Sequence, residues 1–160
     1  MNAESYLSSV IEVAIGIAGF AGIVAAIRQR RLSTWPDEQR IMLQVLFFAS
    51  AAAIFFGLFP AVLAEAGLTD AVIWTVCSCA LIAWLILAIA FRAQQARAAG
   101  VRMTLPGLIL VLAVGALGLQ IYNITGPRVA WPYMAGVSAL LVNGFTMFLL
   151  LLLRPVDDET

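Results

Sequence analysis

The 160-residue chain has no histidine, no lysine and only two cysteines, and 11% of its residues are charged. Each shortage removes a class of function. Without histidine there is no bis-histidine haem, no histidine-ligated chlorophyll, and no Ser-His or Cys-His pair to activate a nucleophile. Without lysine a retinal Schiff base is excluded. Cys77 and Cys79 are two residues apart, so on a helix they point about 200° from one another. That divergence forbids a disulfide between them and makes them a poor pair of metal ligands. The Cys-x-x-Cys of membrane thiol oxidoreductases is missing as well. The formal net charge is zero, with no basic stripe and no nucleic-acid motif, so no nucleic-acid partner is expected. No motif calls for a cofactor or a metal. A non-enzymatic protein is expected.

What is present is apolar. Hydrophobic residues make up 63% of the chain and the mean hydropathy is +1.01. A soluble domain is about 45–50% apolar and about 25% charged. Five apolar runs cover residues 6–27, 41–64, 71–91, 105–122 and 132–153. Each reaches or approaches the roughly 20 helical residues needed to cross a hydrocarbon core. Inside that core the backbone can bond only to itself, as a helix or a closed barrel. Barrel strands alternate apolar and polar side chains, whereas residues 145–153 are almost continuously apolar. The expected fold is an all-α integral membrane protein: one domain over residues 1–154, a bundle of five transmembrane helices, followed by a short acidic tail at 155–160.

The nine basic residues are all arginines, and they alternate sides. Arg28, Arg30, Arg31 and Arg40 flank the first loop, Arg92, Arg97 and Arg102 the third, and Arg154 follows the last run. The second loop has Glu65 and Asp70 but no base, and the fourth has only Arg128. Loop arginines favour the cytoplasmic side. The N-terminus is therefore expected outside, the C-terminus in the cytoplasm, and the protein in the plasma (inner) membrane. Glu4 before the first run and arginines after it reverse the charge order of a signal peptide, so that run reads as a retained helix. Thr34, Pro36 and Asp37 read as the start of the second helix. Thr69-Asp70 and residues 104–106 suit the starts of the third and fourth. Gly126-Pro127 breaks the chain, and Trp131-Pro132 opens the fifth helix. Trp74, Trp131 and Tyr133 fit an outer aromatic belt, while Trp84 lies deeper and reads as packing. In size and five-helix layout the chain resembles the tryptophan-rich sensory/translocator family. That resemblance is one of topology: of the family's Trp- and Pro-rich first loop only Trp35-Pro36 is matched, and no site residue carries over.

Apolar burial gains little between helices in lipid, so association relies on small residues that allow close approach. Ala14, Ala18, Gly22 and Ala26 form one ridge of the first helix, with Gly16 and Gly19 on another face. A helix smooth on two sides is expected at the centre of the bundle. Further stripes run through Ser50, Ala53, Gly57, Ala61 and Ala64, through Ala113, Ala116 and Gln120, and through Gly136, Ala139, Asn143 and Thr146. Such faces also suit a homo-oligomer or a membrane protein partner. Pro60 removes a backbone donor and frees the carbonyl of Phe56, which reads as a kink, a hinge or a coordinating carbonyl.

Five residues are candidate ion- or ligand-binding groups: Glu12, Gln120, Asn123, Arg128 and Asn143. Glu12 lies about 9 Å inside the first span at 1.5 Å per residue. An acid at that depth faces protein or water and often marks an ion or proton path. Gln120, Asn123 and Arg128 fall in the same outer layer, with Tyr122 nearby, so the four are expected to form one polar cluster. Asn143, near mid-membrane, is expected to bond another helix or its own counterpart in an oligomer. Gln44 reads as interfacial. Three functions are consistent with these residues. The first is a structural, accessory or assembly protein. The second is a small oligomeric channel or transporter-like protein using Glu12. The third is a small-molecule or lipid binder at the outer polar cluster.

Overall fold

A computed structural model describes residues 3–28, 37–98 and 107–153. Their regular elements are five α-helices: α1 (Ala3–Arg28), α2 (Asp37–Glu65), α3 (Asp70–Ala98), α4 (Gly107–Thr125) and α5 (Ala130–Leu153). Four contain stretches long and apolar enough to cross a membrane, Ala3–Ile23, Arg40–Glu65, Asp70–Gln94 and Ala130–Leu153. The fourth helix supplies a shorter apolar stretch, Ile109–Thr125. Between 22% and 50% of each long span's most apolar window is buried, so apolar side chains such as Val62, Leu87 and Val111 cover the exterior. A continuous apolar exterior suits lipid and would aggregate in water. The segments 29–36, 99–106 and 154–160 lie outside the described residues. The expected cap at Thr34 and Pro36, the start at 104–106 and the acidic tail fall there.

Two tight turns set the antiparallel order. After α2, Gly67 adopts a left-handed φ of 76°. Its amide bonds Ala64 O at 2.9 Å and the next amide, Leu68, reaches Leu63 O at 3.5 Å. This Schellman pair satisfies two of the last carbonyls of the helix. After α4, Gly126 N bonds Tyr122 O at 3.0 Å, and Arg128, at φ 51°, donates to Asn123 O at 3.1 Å. Both turns and the start of α1 share one end of the bundle, hereafter the turn end, with Glu65 and Asp70. Arg40, Arg92 and Arg97 gather at the other.

Helix α5 is the centre: it touches all four other helices, whereas α1 touches only α2 and α5. The expectation of a central first helix is therefore corrected. Leu7, Val10, Ala14 and Ala21 form the one buried side of α1, while a side chain added at Gly16 or Gly19 would meet nothing within 4 Å. Exposed Glu12 shares that second side. An acid at this depth is expected to face protein or water; instead Glu12 lies on the exposed side of α1, a costly position in lipid unless its side chain reaches the interface.

Glycines mark the close approaches. A Cβ at Gly57 would lie 2.6 Å from Ile11 Cγ1 and 3.6 Å from Leu7 O, so Ile11 of α1 inserts where α2 has no side chain. On α5, Gly144 lies against Ala49 and Ser50 of α2, 3.5 Å and 3.7 Å from its would-be Cβ. Hydroxyls within the spans bond back to their own helix, Thr75 to Ala71 O at 2.7 Å and Thr146 to Val142 O at 2.8 Å. Ser138 also bonds back, to Met134 O at 2.7 Å, so its oxygen accepts the Tyr6 hydroxyl at 2.6 Å and ties α1 to α5.

One buried hydrogen bond joins α2 to α5 beside this packing. Pro60 lies inside α2 and leaves the Phe56 carbonyl without its usual donor. The fully buried Tyr133 hydroxyl donates to that carbonyl at 2.6 Å. Tyr133 thus leaves the expected aromatic belt for the core, because an unpaired carbonyl in an apolar interior is costlier than an inward phenol. Trp131 stays exposed beside Tyr122, ring centroids 6.2 Å apart. Trp74, half-buried, packs on Tyr133.

Two stability predictions follow from these contacts, both read by unfolding in detergent micelles. Gly57→Ala is expected to destabilise by about 1–3 kcal/mol, and Ile11→Ala in the same chain to recover part of that loss. Tyr133→Phe is expected to cost about 1–3 kcal/mol. That penalty should shrink in a Pro60→Ala background, where residue 60 donates to Phe56 itself. A Tyr133→Phe penalty unchanged by Pro60→Ala would show that the bond is not what stabilises this crossing.

Candidate functional site

The outer polar residues divide into two groups that do not meet. Gln120 and Asn123 are fully buried and act as stitches. Gln120 Nε2 donates to Pro132 O at 2.8 Å and ties α4 to the first turn of α5. Its side chain occupies the space that a side chain at Gly136 would need. Asn123 Nδ2 donates to Ser78 Oγ of α3 at 2.9 Å, while its Oδ1 accepts Val129 N at 2.9 Å and fixes the α4–α5 turn. Arg128 is exposed on that turn, held through its backbone. Glu12 is exposed on α1, and α1 makes no contact with α4 among the described residues. The expected four-residue cluster is therefore not assembled. Glu12 and the two amides face different directions.

Asn143 lies elsewhere, on a cavity of about 430 Å³ between α2, α3, α4 and α5. Two aromatic pairs prop α2 and α3 apart across it. Phe56 and Trp84, centroids 6.3 Å apart, stand at its inner limit, and Phe48 and Phe91, also 6.3 Å apart, near its mouth. Between these props the lining includes Ala49, Ala88, Ala113, Ala116 and Ala139, side chains too short to fill the gap. Leu85, Ile109, Leu112 and Leu140 complete most of the apolar wall. From Trp84 to Arg92, both in the lining, is eight residues of α3, or about 12 Å. Beyond Trp84 toward the turn end, Cys77, Leu81 and Tyr133 are fully buried and close the bundle.

The polar groups on this wall are few. Asn143 Oδ1 is buried with no hydrogen-bond partner; Ser50 Oγ, also without a partner, lies beside Gly144 and outside the lining. Arg92 is half-buried in the lining and forms no hydrogen bond or ion pair among the described residues. Gln44 also borders the cavity. Pockets of roughly 300–1,000 Å³ with apolar walls and a few polar groups are typical small-molecule sites. Of the five sequence candidates only Asn143 belongs to this one. Arg92 reads in sequence as a loop charge, yet α3 continues past it to Ala98. The usable sequence signal is that an arginine followed by more helix remains on the bundle wall. Trp84, expected to pack, does so against Phe56 and also lines the cavity.

The separation of Glu12 from the amides is testable by a double-mutant cycle. Asn123→Ala is expected to cost about 1–3 kcal/mol by orphaning Ser78 and the α4–α5 turn. Glu12→Gln should add to it within about 0.5 kcal/mol, as for groups that share no partner. A coupling well above that would place Glu12 in the same network.

No known protein family, curated protein or solved structure matches this chain.

Proposed function

We propose that this is a non-enzymatic multi-pass protein of the plasma (inner) membrane that binds a membrane-resident small molecule or lipid in the cavity between α2, α3, α4 and α5. It is accessory in the sense that it holds a ligand and does not convert one. The observation that carries the proposal is Asn143: a buried, partnerless acceptor on the wall of a 430 Å³ apolar cavity. Buried polar groups are normally bonded, so one left open in a cavity suits a ligand. The binding reading thus moves from the outer amides, whose Nε2 and Nδ2 groups bridge helices, to the opposite half of the bundle.

In this reading all five helices cross the bilayer, α4 included, since its 19 residues span about 28 Å. The positive-inside rule puts the arginine end in the cytoplasm and the turn end outside. The cavity then opens in the inner leaflet. Transport through the bundle is less well supported. Glu12 stands apart from the cavity, on an exposed face of α1.

The test uses Trp84 as reporter. With Trp35, Trp74 and Trp131 replaced by Phe, dibrominated stearate or its methyl ester is titrated into the protein in micelles. At least one probe is expected to quench Trp84 saturably, and Ala113→Phe, which fills the cavity, to remove the saturable part while helix content is kept. Quenching that rises linearly with both probes, with or without Ala113→Phe, would overturn the proposal.

A further inference from the structure

We infer that the ligand of this cavity is an anionic amphiphile whose acidic head is held by Arg92 at the arginine end, with its chain directed toward Trp84. This rests on the cavity-binding reading proposed above and adds the chemical class and the direction of the ligand.

The apolar wall alone cannot select a ligand. Lipid tails are as apolar as the leucines and alanines of the cavity, so a neutral hydrocarbon gains little by leaving the bilayer. Retention must come from the polar groups, and one of them is a cation. Arg92 lines the cavity, half-buried within α3, without an ion pair among the described residues. Glu4, Glu12, Glu65 and Asp70 belong to the turn-end half of the bundle, whereas Asp37 and Glu38 open α2 at the arginine end. A guanidinium presents donors in a planar fork that matches carboxylate and phosphate oxygens two at a time. In a low-dielectric surrounding that pairing is far stronger than in water.

The helix register puts a second polar group at the same depth. Gly144 abuts Ala49 and Ser50 of α2, and Phe48 of α2 abuts Phe91 of α3. Asn143 and Arg92 therefore lie within about one helical turn of one level, on different walls. From that level the cavity runs to Trp84 between short apolar side chains. A head with acceptor oxygens fits Arg92, not the Asn143 oxygen, and the first part of an acyl chain fits along the roughly 12 Å to Trp84. The shared chemistry is an acid head on an acyl chain, supplied by a free fatty acid or by an anionic phospholipid.

The experiment compares probes in the Trp84-only protein at alkaline pH, where the acid is ionised. Dibrominated stearate, its uncharged methyl ester, and phosphatidylglycerol carrying the same brominated chain are titrated separately. The expected result is that stearate, phosphatidylglycerol or both quench saturably at roughly tenfold lower concentration than the ester. Arg92→Gln should erase that preference, and Arg92→Lys, which keeps the charge, should retain part of it. A response to stearate alone assigns a free acid, and to phosphatidylglycerol alone a phospholipid; either supports the inference. Equal, saturable quenching by acid, phospholipid and ester overturns the anionic head and leaves the cavity reading standing. So does an acid preference that survives Arg92→Gln. Absence of saturable quenching by every probe overturns the cavity reading as well.

Discussion

The hydrogen bond from the Tyr133 hydroxyl to the Phe56 carbonyl, 2.6 Å long, is the constraint around which the bundle is arranged. A bilayer offers no water to an open carbonyl, so a proline inside a membrane helix obliges some neighbour to supply a donor. Here the donor comes from α5, which places α5 against α2 and leaves it in contact with every other helix. The same arrangement aims the Phe56 ring at Trp84 of α3. One residue, Phe56, thus links the carbonyl freed by Pro60, the central helix and the aromatic contact with Trp84.

The same rule sorts the remaining polar side chains into structural and functional candidates. Gln120 and Asn123 each bridge elements, through Pro132, Ser78 and Val129, and their chemistry is committed to holding α3, α4 and α5 together. Ser138 and Tyr6 are committed in the same way between α1 and α5. Gln120 Oε1 also has no partner, but its amide already holds Pro132 and lies away from the cavity lining. Asn143 and Arg92 differ in facing an apolar volume that no side chain fills. In a protein with no histidine, no lysine and no thiol pair, such uncommitted groups are where binding chemistry can reside.

Much of this was legible in the sequence, and what was not shares one cause. Run lengths and the Thr, Gly and Pro punctuation at 69, 126 and 127 placed the helix ends within a few residues, except that α3 continues to Ala98 beyond its expected end at 91. The orphaned Phe56 carbonyl was legible from Pro60 alone. Counting residues along a helix gives approximate depth, which is why Glu12, Gln120 and Asn123 were expected in one layer. It does not give the direction each side chain takes about the bundle axis, which depends on which helices are neighbours. The expected outer cluster failed on that ground, since α1 and α4 do not touch. Small residues misled for a similar reason. Gly16 and Gly19 make α1 smooth, but that side, which also carries Glu12, stays out of the core.

Small residues also produce opposite outcomes within the bundle, and the difference explains why a cavity exists. Gly57 and Gly136 stand opposite Ile11 and Gln120, long side chains that fill the space each glycine leaves. Ala49, Ala113, Ala116 and Ala139 border the gap that two aromatic pairs hold open between α2 and α3, and nothing fills it. The gap is not sealed: Leu87, Ile89 and Leu110 of its lining are exposed on the outer surface, so in a bilayer an apolar chain can enter it. A passing lipid tail would fill the gap but leave Asn143 and Arg92 without partners. An occupant with an acidic head answers the guanidinium, while Asn143 Oδ1, itself an acceptor, calls for a donor on the occupant.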